Sequence, residues 1–457
     1  MAPGAVLTLR AAGLNKRAHP IVIGAGLLAH GCIHLDTALA GRGGALLVVD
    51  ANLGPALLQP LIRRLESMRM RWGVCVVRAE EQAKSPATLE RILIEAARLR
   101  LERGDAVIAL GGGIVTDLAG FAAATYRRGI AAILIPTTLL AMVDAAIGGK
   151  TGLNLDVPMD DDAAGTGGSQ VAAGSRSAAG GAMKTRLIKN AAGAFHLPAL
   201  VVCDPDALRT LPLREVRCGL AECIKHAVLG PALGDAKLWA WTAANLDAIL
   251  RAEMPALSEL IRRNAACKVR VVETDERETS TKADGGRMML NLGHTFAHAL
   301  ETLPGLSWRD AEGRTQIGPL RHGEAVGLGL LAAVRVSEEI GLLKQRNAKK
   351  AQGKGTRSAV RASTAGNPRS TAEEDSGALS HQLIRVLRRV GLPTAIDGLP
   401  RSETVLSRMI DDKKVKAGRV RLVLPSAGGE CRVRDDVDPA VVVAALESLR
   451  AVAPLSP

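Results

Sequence analysis

The chain has 457 residues, 47% of them hydrophobic and 2% aromatic, with a formal net charge of +13 and a pI near 9.7. That length supports one large or two medium globular domains, and cores of Ala, Val, Ile and Leu argue against an aromatic-rich β-sandwich. Seven scattered cysteines with no C-x-x-C pair (Cys32, Cys75, Cys203, Cys218, Cys223, Cys267, Cys431) argue against a disulfide framework and point to a reducing compartment.

In chain order, Ala45–Asp50 is a continuous apolar run and predicts a buried strand. Asp50 and Asn52 follow it, where an acid often binds a ribose hydroxyl; an Asx turn or helix cap is the plainer reading. Val74–Arg78 predicts a second strand, Pro86–Arg103 a helix and Asp105–Leu110 a third strand. Gly111-Gly112-Gly113 comes next, ahead of the helical run Ile114–Thr125. Glycines let the backbone approach a pyrophosphate and the helix N-terminus offers free N–H groups, although a tight turn alone would use the same residues. Ala131–Ile135 predicts a fourth strand, followed by Pro136-Thr137-Thr138, Asp144 and Gly148-Gly149-Lys150-Thr151-Gly152, a set suited to a polyanion. A P-loop is rejected, because Asp144 stands where its first glycine belongs and the run before it is helix-like. Ala199–Cys203 adds a further strand. Strands alternating with helices predict a parallel sheet covered on both faces.

The apolar runs Ala106–Thr125 and Gly129–Gly148 contain Asp117, three glycines, Pro136 and Asp144, so they read as buried core and not as membrane spans. The N-terminus has no clear signal segment. Two stretches break the periodicity. Asp156–Ile188 is rich in Gly, Ala, Ser and Asp, and Leu342–Gly377 in Lys, Arg, Ser, Thr and Ala; composition reads both as disordered insertions. Residues 344–369 carry eight Lys/Arg, no acid and no aromatic to stack on a base, which favours a solvated loop over nucleic-acid binding.

From Pro212 onward the period becomes helical: Glu215–Leu229, Ala256–Asp275, Met288–Leu303 and Glu324–Ile340, with few strand-like runs before Arg419–Leu424. The expected domains are therefore 1–211, α/β, and 212–457, mainly α-helical, with a ligand in the cleft between them. His294 and His298 lie at i and i+4 and so share a helix face, a spacing that suits a metal or a polar cleft. A third ligand must come from elsewhere, and His322 and Glu222 are the candidates; such a His/Glu set fits Zn2+ with an open position. Lys150, Lys189, Lys225, Lys268, Arg287 and Lys413 form a dispersed cationic set, several of them within apolar stretches. Such cations need anionic partners, supplied either by a doubly anionic substrate or by intrachain salt bridges.

Together the stretches Leu110–Gly129, Ile135–Asn154, Lys189–Pro198, Thr210–Val228, Leu290–Glu301, His322–Gly329 and Asp412–Pro425 resemble, in order, the motifs of the 3-dehydroquinate synthase family of sugar-phosphate cyclases. The resemblance implies a Rossmann-like, NAD-binding α/β domain and a helical domain carrying Zn2+ or Co2+. It implies conversion of an anionic sugar phosphate, 3-deoxy-arabino-heptulosonate 7-phosphate, to 3-dehydroquinate in the shikimate pathway; a sedoheptulose 7-phosphate cyclase is the nearest alternative. Its metal ligands fall on Glu222, His294 and His322, with His298 contacting substrate. Further substrate contacts fall on Asp144, Lys150, Lys189, Asn190, Lys225, Lys268, Arg287, Asn291 and Lys413, while Arg128 matches the arginine that reaches the neighbouring subunit of a homodimer. NAD contacts fall on Asp50, Asn52, Glu81, Lys84, Gly113, Asp117, Thr137, Thr138 and Thr210, beside Gly111 and Gly112. A cytoplasmic location is expected, or a plastid one if a targeting segment exists.

Overall fold

The computed structural model describes residues 5–10, 18–158, 185–280, 286–310, 312–344, 378–411 and 420–451. Lys413, most of 156–188 and nearly all of 342–377 lie outside the described residues. Contacts divide the chain into two units, Met1–Val6 with His19–Ala207 and Leu7–Ala18 with Leu208–Pro457.

The chain up to Ala207 holds the strands β1 Ala5–Arg10, β2 Ala18–Ile23, β3 Gly44–Asp50, β4 Arg71–Val77, β5 Ala106–Gly111, β6 Ala131–Pro136, β7 Lys150–Pro158, β8 Thr185–Phe195 and β9 Leu200–Cys203. Its helices are α1 Leu27–His30, α2 Ile33–Leu39, α3 Pro55–Ser67, α4 Pro86–Arg98 and α5 Gly113–Thr125. The main sheet runs β1-β2-β9-β6-β5-β3-β4, and every pair from β2 to β4 is parallel. β5 is buried throughout and β3 everywhere except Asp50, so both faces are covered and the strands read as unbroken apolar runs. Leu47, Ile108, Ile133 and Val202 meet in one core. Since β4 and β5 flank β3 on opposite sides, the direction of winding reverses between β3 and β5. In open α/β sheets ligands bind beyond the strand ends at such a switch point.

The helix-like run before Gly148 is a five-residue π-helical turn, Ala141–Ala145. One expectation fails here. The segment 156–188 is not loop at its ends, because β7 and β8 pair antiparallel as far as Pro158↔Thr185. Ladder hydrogen bonds come from the backbone, so the arms form without an apolar pattern.

The second unit contains α6 Leu213–Leu229, α7 Leu238–Leu250, α8 Met254–Thr274, α9 His294–Glu301, α10 His322–Glu339, α11 Leu379–Val390, α12 Ser402–Asp411 and α13 Pro439–Glu447. Two short hairpins accompany them, β10 Ser307–Arg309 with β11 Thr315–Ile317 and β12 Leu422–Pro425 with β13 Cys431–Arg434. The predicted single helix Met288–Leu303 is broken: a 3-10 turn, Gly286–Asn291, precedes α9, and Gly293 between them has φ 79°. A β-carbon on Gly293 would lie 2.7 Å from Leu330 N, and one on Gly329 would lie 2.2 Å from Gly293 O. The backbones of α9 and α10 therefore touch, and only glycine permits that approach. Gly323, the second residue of α10, abuts α6 in the same way, its missing β-carbon 2.2 Å from Cys218 O. Among the described residues no helix is long and apolar enough to cross a membrane. All seven cysteines are buried and none forms a disulfide.

Candidate functional site

The three glycine contacts bring one turn of α6 and the first residues of α9 and α10 to a common point. Glu222 lies one turn beyond Cys218 on α6, His294 opens α9, and His322 opens α10 beside Gly323. One ligand atom of each lies within 4.8 Å of the other two. Glu222 Oε1 is 3.4 Å from His294 Nε2 and 3.3 Å from His322 Nε2. His298 is not the second histidine of the cluster. Its ring stands edge-on to that of His294 with centroids 5.8 Å apart, so the i, i+4 pair contributes one ligand atom to the triad and not two.

The electrostatics suit a cation. Burial works against a charge on Glu222, but the Lys225 ammonium and the two imidazoles outweigh it and hold the carboxyl well below its usual range. His294 is pushed down to about 4 by burial against the pull of Glu222, so it is neutral at pH 7. Its Nδ1 faces the Leu292 carbonyl at 3.2 Å, and donation there leaves the Nε2 lone pair turned to Glu222. Burial also opposes a charge on His322, yet Glu301 and Glu222 prevail and push it up to about 10. His322 Nδ1 donates to Glu301 Oε1 at 2.7 Å. A carboxylate and two imidazole lone pairs converging in a buried place fit a divalent ion such as Zn2+, with coordination positions left for substrate oxygens. The start of α10 is held from outside: Arg214 donates to Glu324 from Nε and Nη2, at 2.7 and 2.9 Å, and Glu324 accepts from Arg321 N at 2.8 Å.

The cations of this unit are placed as follows. Lys225 is fully buried and paired with Glu222. Lys268 is buried on α8. Arg287 is 1% exposed and contacts the backbone carbonyl of Glu276, while its own N–H donates to Asp275. Asn291 donates to Glu278 at 2.8 Å. Thr210 is exposed at the end of a 3-10 turn, Pro205–Thr210.

In the first unit two predicted sets lie at the carboxyl end of the sheet. Gly111 pairs in register with Pro136, Thr137 N donates to Gly111 O at 2.9 Å, and a β-carbon on Gly112 would lie 3.1 Å from Thr138. The glycine triplet and the threonine pair thus form one edge beside the switch point, with α5 starting at Gly113. Asp50 and Asn52 stand at the end of β3 and form an Asx turn, Asp50 Oδ1 accepting from the Asn52 backbone at 2.9 Å. The second set is a polar knot. Lys84 Nζ donates to Asp117 and Asn190, each at 2.5 Å, and Asn154 donates to Glu81 Oε1 at 2.7 Å and accepts from Asn190 N at 2.8 Å. Lys189 and Asn190 sit in a bulge of β8 opposite Asn154, and Asn190 has φ 50°. Asp144 is half-buried in the π-helical turn, Lys150 is exposed at the head of β7, and Arg128 is exposed after α5 with φ 67°.

The 3-dehydroquinate synthase N-terminal family matches residues 74–160 and the 3-dehydroquinate synthase C-terminal family residues 219–373. A 3-dehydroquinate synthase of Caulobacter vibrioides (strain NA1000 / CB15N) is 34% identical over 438 residues, covering 95% of this chain and 96% of that protein. The chain belongs to the 3-dehydroquinate synthase family. Solved structures agree on the fold. The 2-epi-5-epi-valiolone synthase ValA of Streptomyces hygroscopicus subsp. jinggangensis 5008, with NAD+ and Zn2+ bound, superposes with a TM-score of 0.69 at 23% identity, over 96% of this chain and 99% of that one. A 2-deoxy-scyllo-inosose synthase complexed with carbaglucose-6-phosphate, NAD+ and Co2+ gives 0.64 at 17% identity, over 97% and 99%.

Two residues of this family member escape motif reading. Asn154 closes the stretch Ile135–Asn154, and only the fold shows it tying Glu81 to Asn190. Glu301 lies seven residues after His294, on the same helix face, which is the one sequence signal that could have found it.

Proposed function

We propose that the chain is a 3-dehydroquinate synthase that converts 3-deoxy-arabino-heptulosonate 7-phosphate to 3-dehydroquinate and phosphate, using NAD+ and a divalent metal. The observation that carries the reading is the Glu222–His294–His322 convergence within a chain of this family. A divalent metal held by those three side chains would supply Lewis-acid polarisation of a substrate hydroxyl, and bound NAD+ would supply a reversible hydride acceptor. We place NAD+ at the carboxyl edge formed by Gly111–Gly113, Thr137, Thr138 and Asp50, with Glu81, Lys84, Asp117 and Thr210 as further contacts. There the N–H groups at the start of α5 would face an anion.

The remaining work belongs to the chain's own groups. Lys150, Lys189, Asn190, Lys268, Arg287, Asn291 and His298 bind the phosphate and carboxylate, and Lys413 joins them in this reading. Lys225, paired with Glu222, brings a cation to the edge of the metal site. Asp144 and the dispersed cations would hold the substrate in one conformer, so that the departing phosphate can take up the proton from the carbon next to the oxidised centre and ring closure carries a smaller entropic penalty. Arg128, exposed with φ 67°, serves the neighbouring site of a homodimer in this reading. The buried cysteines, none of them in a disulfide, favour a cytoplasmic location.

The test is to incubate the protein with the heptulosonate phosphate, substoichiometric NAD+ and Zn2+, and to follow phosphate, dehydroquinate and NADH together. Equimolar phosphate and dehydroquinate without net NADH is the expected result. Turnover of sedoheptulose 7-phosphate alone would transfer the chain to the valiolone-forming cyclases, and net NADH would indicate a dehydrogenase.

A further inference from the structure

The triad is held from behind by groups that do not belong to it. His294 has a backbone carbonyl at Nδ1, from Leu292 at 3.2 Å. His322 has a carboxylate at the same position, Glu301 Oε1 at 2.7 Å, and its Nε2 faces Glu222. Donation from Nδ1 fixes the tautomer and turns the Nε2 lone pair towards the common point. The Glu301 side chain is 3% exposed and is the last residue of α9, where the helix dipole disfavours an anion. A buried carboxylate at that end of a helix costs stability unless specific partners offset it, and His322 is one of them. One short helix therefore carries a metal-site imidazole at its first residue and the support for another at its last.

We propose that Glu301 is the positioning residue of the metal site, locking His322 with Nε2 towards the cation; the inference rests on the metal reading above. Orienting partners of this kind typically change metal affinity when removed, because the ligand then pays for its own ordering.

The experiment compares wild type, Glu301→Gln and Glu301→Ala after metal stripping. Zn2+ affinity is measured by competition with a chelating dye, the visible spectrum is recorded with Co2+, and phosphate release is followed at saturating metal. Glu301→Gln keeps the volume and an acceptor, so it carries the test if the alanine variant does not fold. The expected result is a loss in Zn2+ affinity of about 10–100-fold for alanine and a smaller loss for glutamine. The Co2+ bands should shift in both variants, with KM for the sugar phosphate unchanged at saturating metal. Wild-type affinity and an unshifted Co2+ spectrum in both variants would overturn this inference alone. A wild-type protein that binds no Zn2+ would overturn the metal reading and this inference with it.

Discussion

In the metal-free chain His322 holds a proton across neutral pH. Two carboxylates, Glu301 and Glu222, raise it to about 10 from an ordinary value of 6.5 despite burial. The sign follows directly. Stability from this proton is present in full below pH 6.5 and is lost as pH rises through about 10, whereas a metal at the triad requires the neutral form. Metal loading at pH 8 should therefore release a proton from His322, and His294, already neutral, should add none. Titration calorimetry of Zn2+ into the stripped protein, in buffers of different ionisation enthalpy, should give an apparent enthalpy that depends on the buffer with a slope of about one proton. A slope near zero would mean that His322 carries no proton to release at pH 8.

At the scale of elements, the triad exists because α6, α9 and α10 approach to backbone contact, and glycines permit it. Gly323→Ala puts a β-carbon 2.2 Å from Cys218 O, which moves the start of α10, and with it His322, away from Glu222. Expected are a destabilisation of about 1–3 kcal/mol in urea unfolding and loss of tight Zn2+ binding. Gly104→Ala, with nothing within 4 Å of its added carbon, should stay within about 0.5 kcal/mol of wild type. Sequence pattern was a good guide where burial is uniform: β3 and β5 read as apolar runs because the sheet is covered on both faces. It failed at Gly293, because a glycine inside a helical period looks tolerated, and the close passage of α10 that demands it is a tertiary fact. It failed again at the arms of β7 and β8, whose pairing is made by the backbone.

For the whole molecule, the motifs made Glu222, His294 and His322 legible as a set, but spacing alone offered His294 with His298. The family motifs had already set His298 apart from the ligands, and the fold brings one ligand atom each of Glu222, His294 and His322 within 4.8 Å of one another. The long basic segment adds a separate expectation. Lys344 and Ala378, the described residues on either side of 345–377, border one cavity of about 820 Å³. Replacing residues 345–377 with a Gly/Ser linker should leave kcat on the heptulosonate phosphate unchanged in steady-state assay; a collapse of kcat would make the segment part of the catalytic apparatus. The most direct measurement is an anomalous difference map, recorded at the zinc edge, from crystals grown with Zn2+. The account predicts one peak per chain in contact with Glu222 Oε1, His294 Nε2 and His322 Nε2, and density elsewhere with none at that point would contradict it.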